Sequence, residues 1–145
     1  TDAGSPCIAD PGEEIVLMCH RLGIQVIPMI GPSSIFLALM ASGLNAENFK
    51  FNGYLPKKPY KREKRLKQIE KEVQRYNATQ IFIETPYRNQ VLFKDILNLS
   101  DDLYLCIGIE VGSDKEEIAT MPISEWRKKD IALEKVPIIY IIGKE

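Results

Sequence analysis

Four stretches of the chain carry residues whose type and spacing could do chemistry. The first runs from Thr1 to Glu14 as Thr-Asp-Ala-Gly-Ser-Pro-Cys-Ile-Ala-Asp-Pro-Gly-Glu-Glu. Ala3, Gly4 and Ser5 have almost no side-chain bulk, so a polar small molecule could approach their backbone N–H and C=O groups closely. A surface connection that needs only turn residues has the same composition. The second stretch, Gly31-Pro32-Ser33-Ser34, would aim unpaired N–H groups and two hydroxyls at a carboxylate or phosphate, or simply cap a helix. The third, Phe82-Ile83-Glu84-Thr85-Pro86-Tyr87-Arg88, gathers a carboxylate, a phenol and a guanidinium. Glu84 could act there as a proton acceptor, or pair with Arg88 and fix the local turn. The fourth, Lys57 to Lys67, holds seven basic residues in eleven, with Tyr54 and Tyr60 close by. An RNA backbone could dock on it, with the tyrosines free to stack, although a charge run on a helix also serves as a solvated face.

These stretches need elements to hold them. Asp10, Pro11 and Glu13 match a capping box, which predicts a helix that starts at Pro11 and buries Ile15, Val16, Cys19 and Leu22, with Gly23 closing it. Ile24 to Met29 has the composition of a buried parallel strand. Gly31 as N-cap and Pro32 at the first position predict a second helix, apolar nearly all round and therefore buried, ending at Gly43. The loops at Gly4 and Gly31 would then follow neighbouring strands and converge at one sheet edge, where α/β proteins bind ligands.

Farther on, Leu66, Ile69, Val73 and Tyr76 recur at helical steps and predict a long amphipathic helix over residues 60–76. A strand is expected over 79–83, then a helix from Pro86 capped by Thr85 with Val91, Leu92, Ile96 and Leu99 inside. Strands over 103–109 and 117–121, a short helix over 124–129 and a last strand over 136–142 buried on both faces complete a small α/β layer. A domain boundary is expected near Lys50, where the chain turns from apolar to basic. This divides it into residues 1–50 and 51–145.

Composition narrows the function classes. With 45% hydrophobic and 27% charged residues the chain can bury a core, and a net charge of −1 means that any nucleic-acid contact must come from local clustering. Cys7, Cys19 and Cys106 are too few and too scattered for a disulfide framework, which points to a reduced, cytoplasmic setting. No apolar run approaches membrane-span length, so no membrane partner is expected. No residue set has metal-ligand or hydrolase-triad spacing. His20 reads as a surface residue, and Trp126 as core.

Three motifs in order resemble the tetrapyrrole (corrin/porphyrin) methylase superfamily: Asp2-Ala3-Gly4-Ser5-Pro6 through Asp10-Pro11-Gly12, Gly31-Pro32-Ser33-Ser34, and Gly53-Tyr54-Leu55-Pro56. Within it they are most similar to the branch of ribosomal small-subunit RNA ribose 2′-O-methyltransferases. The resemblance implies an α/β fold of two domains with S-adenosylmethionine in the cleft between them. Residues 1–50 would be the end of the cofactor-binding N-terminal domain, residues 51–145 the C-terminal α/β domain, and an earlier Gly-rich segment would be missing.

The resemblance also implies cofactor contacts from Ala3, Gly4, Ser5 and Ile8, from Ser33, Ser34 and Ile35, and from Ile83, Ile107, Gly108, Pro137 and Ile138. A ribose hydroxyl must lose a proton during methylation, and Glu84 and Glu110 are the candidate catalytic carboxylates. Lys57, Lys58, Arg62, Arg65 and Arg88 are the candidate contacts to ribosomal RNA or the small ribosomal subunit, and a homodimer is expected. The match is not exact. Gly108-Ile109-Glu110-Val111-Gly112-Ser113 stands where the RNA branch commonly has Ala-Arg-Glu-Leu-Thr-Lys, and Ile83, Thr85 and Tyr87 replace Tyr, Ser and His. A tetrapyrrole substrate, methylated on carbon, is the alternative, and a non-catalytic dimerising fragment is a second.

Overall fold

A computed structural model of the chain describes residues 4–133 and 135–145. Its centre is a five-stranded sheet in the order β1-β2-β5-β3-β4, formed by β1 (Phe49–Tyr54), β2 (Thr79–Glu84), β3 (Tyr104–Ile109), β4 (Glu117–Pro122) and β5 (Ile138–Gly143). The 18-residue helix α3 (Pro59–Tyr76) carries the chain from β1 to β2, which pair in parallel. β5 then enters antiparallel between β2 and β3, and β4 pairs antiparallel with β3. The C-terminal ends of β1, β2 and β3 and the N-terminal end of β5 therefore share one edge.

Side-chain alternation along each strand sends residues to two separate cores. On one face Phe82, Leu105, Ile107, Ile138, Tyr140 and Ile142 meet Leu66, Ile69 and Val73 of α3, Leu92, Phe93 and Ile96 of α4 (Asn89–Ile96), and Ile123 and Trp126 of α5 (Ile123–Trp126). On the other, Ile81, Cys106, Ile139 and Ile141 meet Ile35, Ala38 and Leu39 of α2 (Ser34–Ser42). All six residues of β5 are buried, as expected for a strand covered on both faces. Each such aliphatic side chain contributes on the order of 1.5–3 kcal/mol when fully buried. Trp126 belongs to the core as expected, its indole N–H donating to Leu105 O at 2.8 Å. Among the described residues no helix is long and apolar enough to cross a membrane.

The first thirty residues depart most from expectation. α1 (Glu13–Arg21) forms, and Gly23 (φ +67°) closes it with paired bonds from Gly23 N to His20 O and Ile24 N to Cys19 O. The helix starts two residues later than the capping box predicts, because Gly12, not Asp10, supplies the carbonyl to Ile15 and Val16. It buries none of its residues, and Ile15 and Leu22 are exposed. No strand forms over 24–29: Ile24, Ile27 and Met29 are exposed, and no described strand lies beside this segment to take its backbone bonds.

Smaller corrections follow the same logic. α2 begins at Ser34 with Ser33 as its cap, and it is buried on one side only, with Phe36 and Met40 outside. In α4, Val91 faces solvent and Phe93 lies inside. A 3-10 turn over Pro86–Arg88 precedes that helix and rotates its register, which moves the buried stripe. The side chain of Tyr76 ends exposed. β1 itself was not expected, although Phe49-Lys50-Phe51 alternates as a strand does.

Candidate functional site

The shared edge of β1, β2, β3 and β5 opens into a cavity of about 550 Å³. The size suits a nucleoside-sized ligand. Tyr54 ends β1, and Ile83 and Glu84 end β2, followed by Thr85 and Pro86; Gly108 lies one residue before the end of β3, which Glu110 to Ser113 follow; Pro137 precedes β5, and Ile138 and Ile139 open it. Gly4, Pro32 and Ser34 close the remaining side. The two Gly- and Ser-rich corners thus meet, tied by Ser5 Oγ donating to Pro32 O at 3.3 Å. The strand expected over 24–29 to lead into the Gly31 corner does not form.

Glu84 is the most constrained polar group of the wall. Its side chain is fully buried. One carboxylate oxygen, Oε1, accepts from Thr85 N at 2.6 Å and from the Arg88 guanidinium. The other, Oε2, has no partner among the described residues, and neither have Arg88 Nε and Asn89 Oδ1 beside it. Asn89 locks this junction to the start of β5 by donating to Val136 O at 2.8 Å, while Tyr140 Oη donates to Asn89 O at 3.2 Å. Burial, and next the nearby Glu84 charge, push the Tyr140 phenol far above its ordinary pKa, so Tyr140 stays a neutral donor.

Glu110 sits at the end of β3 in left-handed backbone, φ +45°, an uncommon state for a residue with a Cβ and one that concentrates at functional sites. Its N–H donates to Pro137 O and its C=O accepts from Ser113 N, both at 3.0 Å, so this wall of the cavity is a tight turn. Glu116 secures it, accepting from Gly112 N at 2.6 Å. Gly108 admits no larger residue without a shift, because an added Cβ would lie 2.7 Å from Val111 Cγ2 and 2.9 Å from Ile139 Cγ2.

Of the residues expected to contact a cofactor, Gly4, Ser34, Ile83, Gly108, Pro137 and Ile138 line the cavity. Ser5 lies behind its rim, and Ile8 is half exposed and outside the lining. Ser33 is buried as the cap of α2. The side chains of Ile35 and Ile107 belong to the two cores, because helix and strand periodicity turn them away from the opening. Ala3 lies outside the described residues.

Both candidate catalytic residues, Glu84 and Glu110, border the cavity, with the Glu84 carboxylate itself wholly buried. Among the basic residues, Lys57 and Lys58 are exposed, but Arg62 is drawn inward, where Nε reaches Asp95 Oδ2 at 2.6 Å and Nη1 reaches Lys57 O at 3.0 Å. Arg65 is partly covered and held by Glu72 and Asn52. Both guanidiniums hold α3 in place, a use that a charge run does not reveal. The wall residues Pro32, Val111, Gly112 and Ile139 were not named as contacts; the first three stood inside quoted motifs, and the turn at Glu110 brings Val111 and Gly112 to the opening.

An edge cavity at the C-terminal ends of three strands that run in one direction, a β2–β5–β3 antiparallel centre and a Gly/Ser-rich closing corner define a mixed α/β class with a ligand-sized opening at one sheet edge. Solved methyltransferase structures share this fold. The methyltransferase CobJ matches with a TM-score of 0.60 at 13% identity, covering 97% of this chain and 62% of that one. A uroporphyrin-III C-methyltransferase from Thermus thermophilus, complexed with S-adenosyl homocysteine, matches with a TM-score of 0.56 at 19% identity over 97% and 62% of the two chains. At these identities the likeness shows the fold.

Sequence relatives are more specific. The ribosomal RNA small subunit methyltransferase I of Vibrio cholerae is 34% identical over 98% of this chain and 49% of its own length. Its namesake in Escherichia coli O157:H7 is 35% identical over 98% and 50%. The chain spans about half the length of these curated relatives. In sequence the chain is thus similar to about half of these small-subunit ribosomal RNA methyltransferases, and in fold to the corrin and porphyrin methyltransferases above. No protein-family profile matches the chain.

Proposed function

We propose that the chain is part of an S-adenosylmethionine-dependent methyltransferase that methylates a ribose 2′-hydroxyl of small-subunit ribosomal RNA. The observation that carries this reading is the cavity in which Gly4 and Ser34 face Ile83, Gly108 and Ile138, in a chain whose relatives are named ribosomal RNA small subunit methyltransferase I. The cavity fits the cofactor: its wall is largely small and aliphatic, with backbone groups within reach at Gly4, Gly108 and Gly112, and its volume takes a nucleoside with a short tail. Residues 1–50 would complete a cofactor-binding domain, and residues 51–145 would form the second α/β domain.

When bound, the cofactor supplies a methyl group already activated on a sulfonium, whose departure needs no proton. The work left to the chain is positioning and one proton. Holding donor and acceptor in line can lower the barrier by roughly 7–11 kcal/mol at best. Glu84 is held by Arg88 and Thr85 N through Oε1, and the buried, unpartnered Oε2 would accept the proton of the ribose hydroxyl once a side-chain rotation brings it to the cavity. Glu110 stands at the opposite wall as the second carboxylate. A cytoplasmic homodimer completes the reading.

The test is ribose methylation of small-subunit RNA by the full-length protein, read by mass spectrometry. Glu84→Gln should lower turnover on the order of 10²- to 10⁴-fold with cofactor affinity unchanged. Unchanged turnover would remove Glu84 from the chemistry. A second reading, methylation of a corrin or porphyrin carbon, is favoured by Ile109 and Ser113 standing where the RNA branch carries Arg and Lys. A shifted tetrapyrrole absorption band, with RNA left unmodified, would select it.

A further inference from the structure

Tyr87 is used by neither the fold nor the proposed chemistry, yet it stands next in the chain to the cavity wall. It follows Thr85 and Pro86, two lining residues, and is 79% exposed. Lys135, from the segment that leads into β5, places Nζ 5.4 Å from the ring centroid, within cation–π range. One face of the ring is thus backed by a cation and the other is open. Tyr54, which pairs in register with Ile83, stands on the same edge with 57% of its surface exposed. The connection that follows it and the first turn of α3 bring Lys57, Lys58 and Lys61 to the surface, and none of these pairs with a carboxylate among the described residues.

We propose that the Tyr87 ring, backed by Lys135, is a stacking platform for the base of an unstacked nucleotide, which holds the adjoining ribose over the cavity. The inference rests on the RNA reading above and adds how the acceptor is presented. To bring its ribose down to a recessed donor a nucleotide has to be separated from its neighbours, and an aromatic face compensates for the stacking lost. An exposed phenol with a cation behind it does this for any base, and the ammonium remains free to meet a phosphate. Single-stranded RNA is the occupant because the same edge gathers open aromatic faces and unpaired lysines, the two features that such strands require.

The experiment uses the full-length protein and a short single-stranded RNA that carries 2-aminopurine beside the methylated nucleotide. Wild-type protein should change the probe fluorescence on binding. Tyr87→Ala should abolish that change and raise KM for RNA about tenfold, with cofactor affinity and melting temperature unchanged. Tyr87→Phe should behave as wild type, and Lys135→Ala should raise KM by a smaller factor. If Tyr87→Ala gives wild-type fluorescence and KM while the enzyme methylates RNA, the stacking role is overturned alone. Equal losses in Tyr87→Ala and Tyr87→Phe would also overturn it, by assigning the effect to the hydroxyl. Wild-type protein that methylates a tetrapyrrole and leaves RNA untouched would overturn the RNA reading, and this inference with it.

Discussion

Residues 4–32 and residues 34–143 are comparably rich in apolar side chains, but they spend them differently. In the second region Phe82, Ile69, Leu105 and Ile141 are wholly buried between a sheet and its helices. In the first, Ile15, Leu17, Met18, Leu22, Ile27 and Ile30 are exposed, and α1 buries nothing. Hydrophobic periodicity states which face of an element wants a partner; it does not supply one. The sheet-and-helix body closes its cores with its own residues, whereas the leading segment contributes the Gly4 corner of the cavity and leaves its apolar stripe without a partner among the described residues.

Phe82→Ala gives the largest expected effect. Phe82 is fully buried and stacks on Tyr140 with centroids 5.8 Å apart, so truncation should cost about 3–5 kcal/mol in denaturant unfolding. A loss under about 1 kcal/mol would mean that the body is no better packed than the segment before it.

Glu70 offers an intermediate test, on α3. Burial pushes its carboxyl up, but donation from Ser100 N at 2.7 Å and from Lys67 Nζ at 3.2 Å brings it net below the ordinary carboxylate value. A group lowered on folding stabilises the native state above its unfolded pKa, and that contribution is lost as pH falls through the folded value. Glu70→Ala should therefore cost about 2 kcal/mol at pH 7. The difference from wild type should shrink below about pH 4.3. A difference independent of pH would make the loss one of packing rather than of ionised hydrogen bonding.

The smallest effect is expected from Ile27→Ser, which should change the unfolding free energy of this chain by no more than about 0.5 kcal/mol because the side chain is already in water. A loss of 2 kcal/mol or more would show that residues 24–30 bury this side chain in solution, and would dissolve the contrast between the two regions.

Much of the body was legible in advance. The spacing of Leu66, Ile69 and Val73 located α3, the β-branched run before Gly143 located a doubly buried strand, and Gly23 and Gly43 marked the ends of α1 and α2. These are local signals, set by helical and strand periodicity and by backbone that only a residue without a Cβ adopts easily. Part of the cavity wall was legible too: Gly4 and Ser34 sit in short motifs with turn chemistry and Glu84 in a polar strand-to-helix junction, whereas Ile83, Gly108, Pro137 and Ile138 were expected only through the family resemblance. The remainder depended on which side of an element faced the opening: Ile107 and Ile35 belong to motifs that reach the cavity, but their side chains turn into the cores.

Composition and periodicity by themselves determined that this chain would form alternating helices and strands, where most of them begin and end, and which corners could receive a ligand. Only the tertiary structure decided that β5 enters between β2 and β3, that this brings Pro137 and Ile138 beside Glu84 and Gly108, and that Arg62 is spent on Asp95 instead of on the surface. The physical reason is one of range. Turn and helix preferences are settled within a few residues, whereas strand neighbours and buried ion pairs are chosen by the burial of faces far apart in sequence, and no local pattern records that choice.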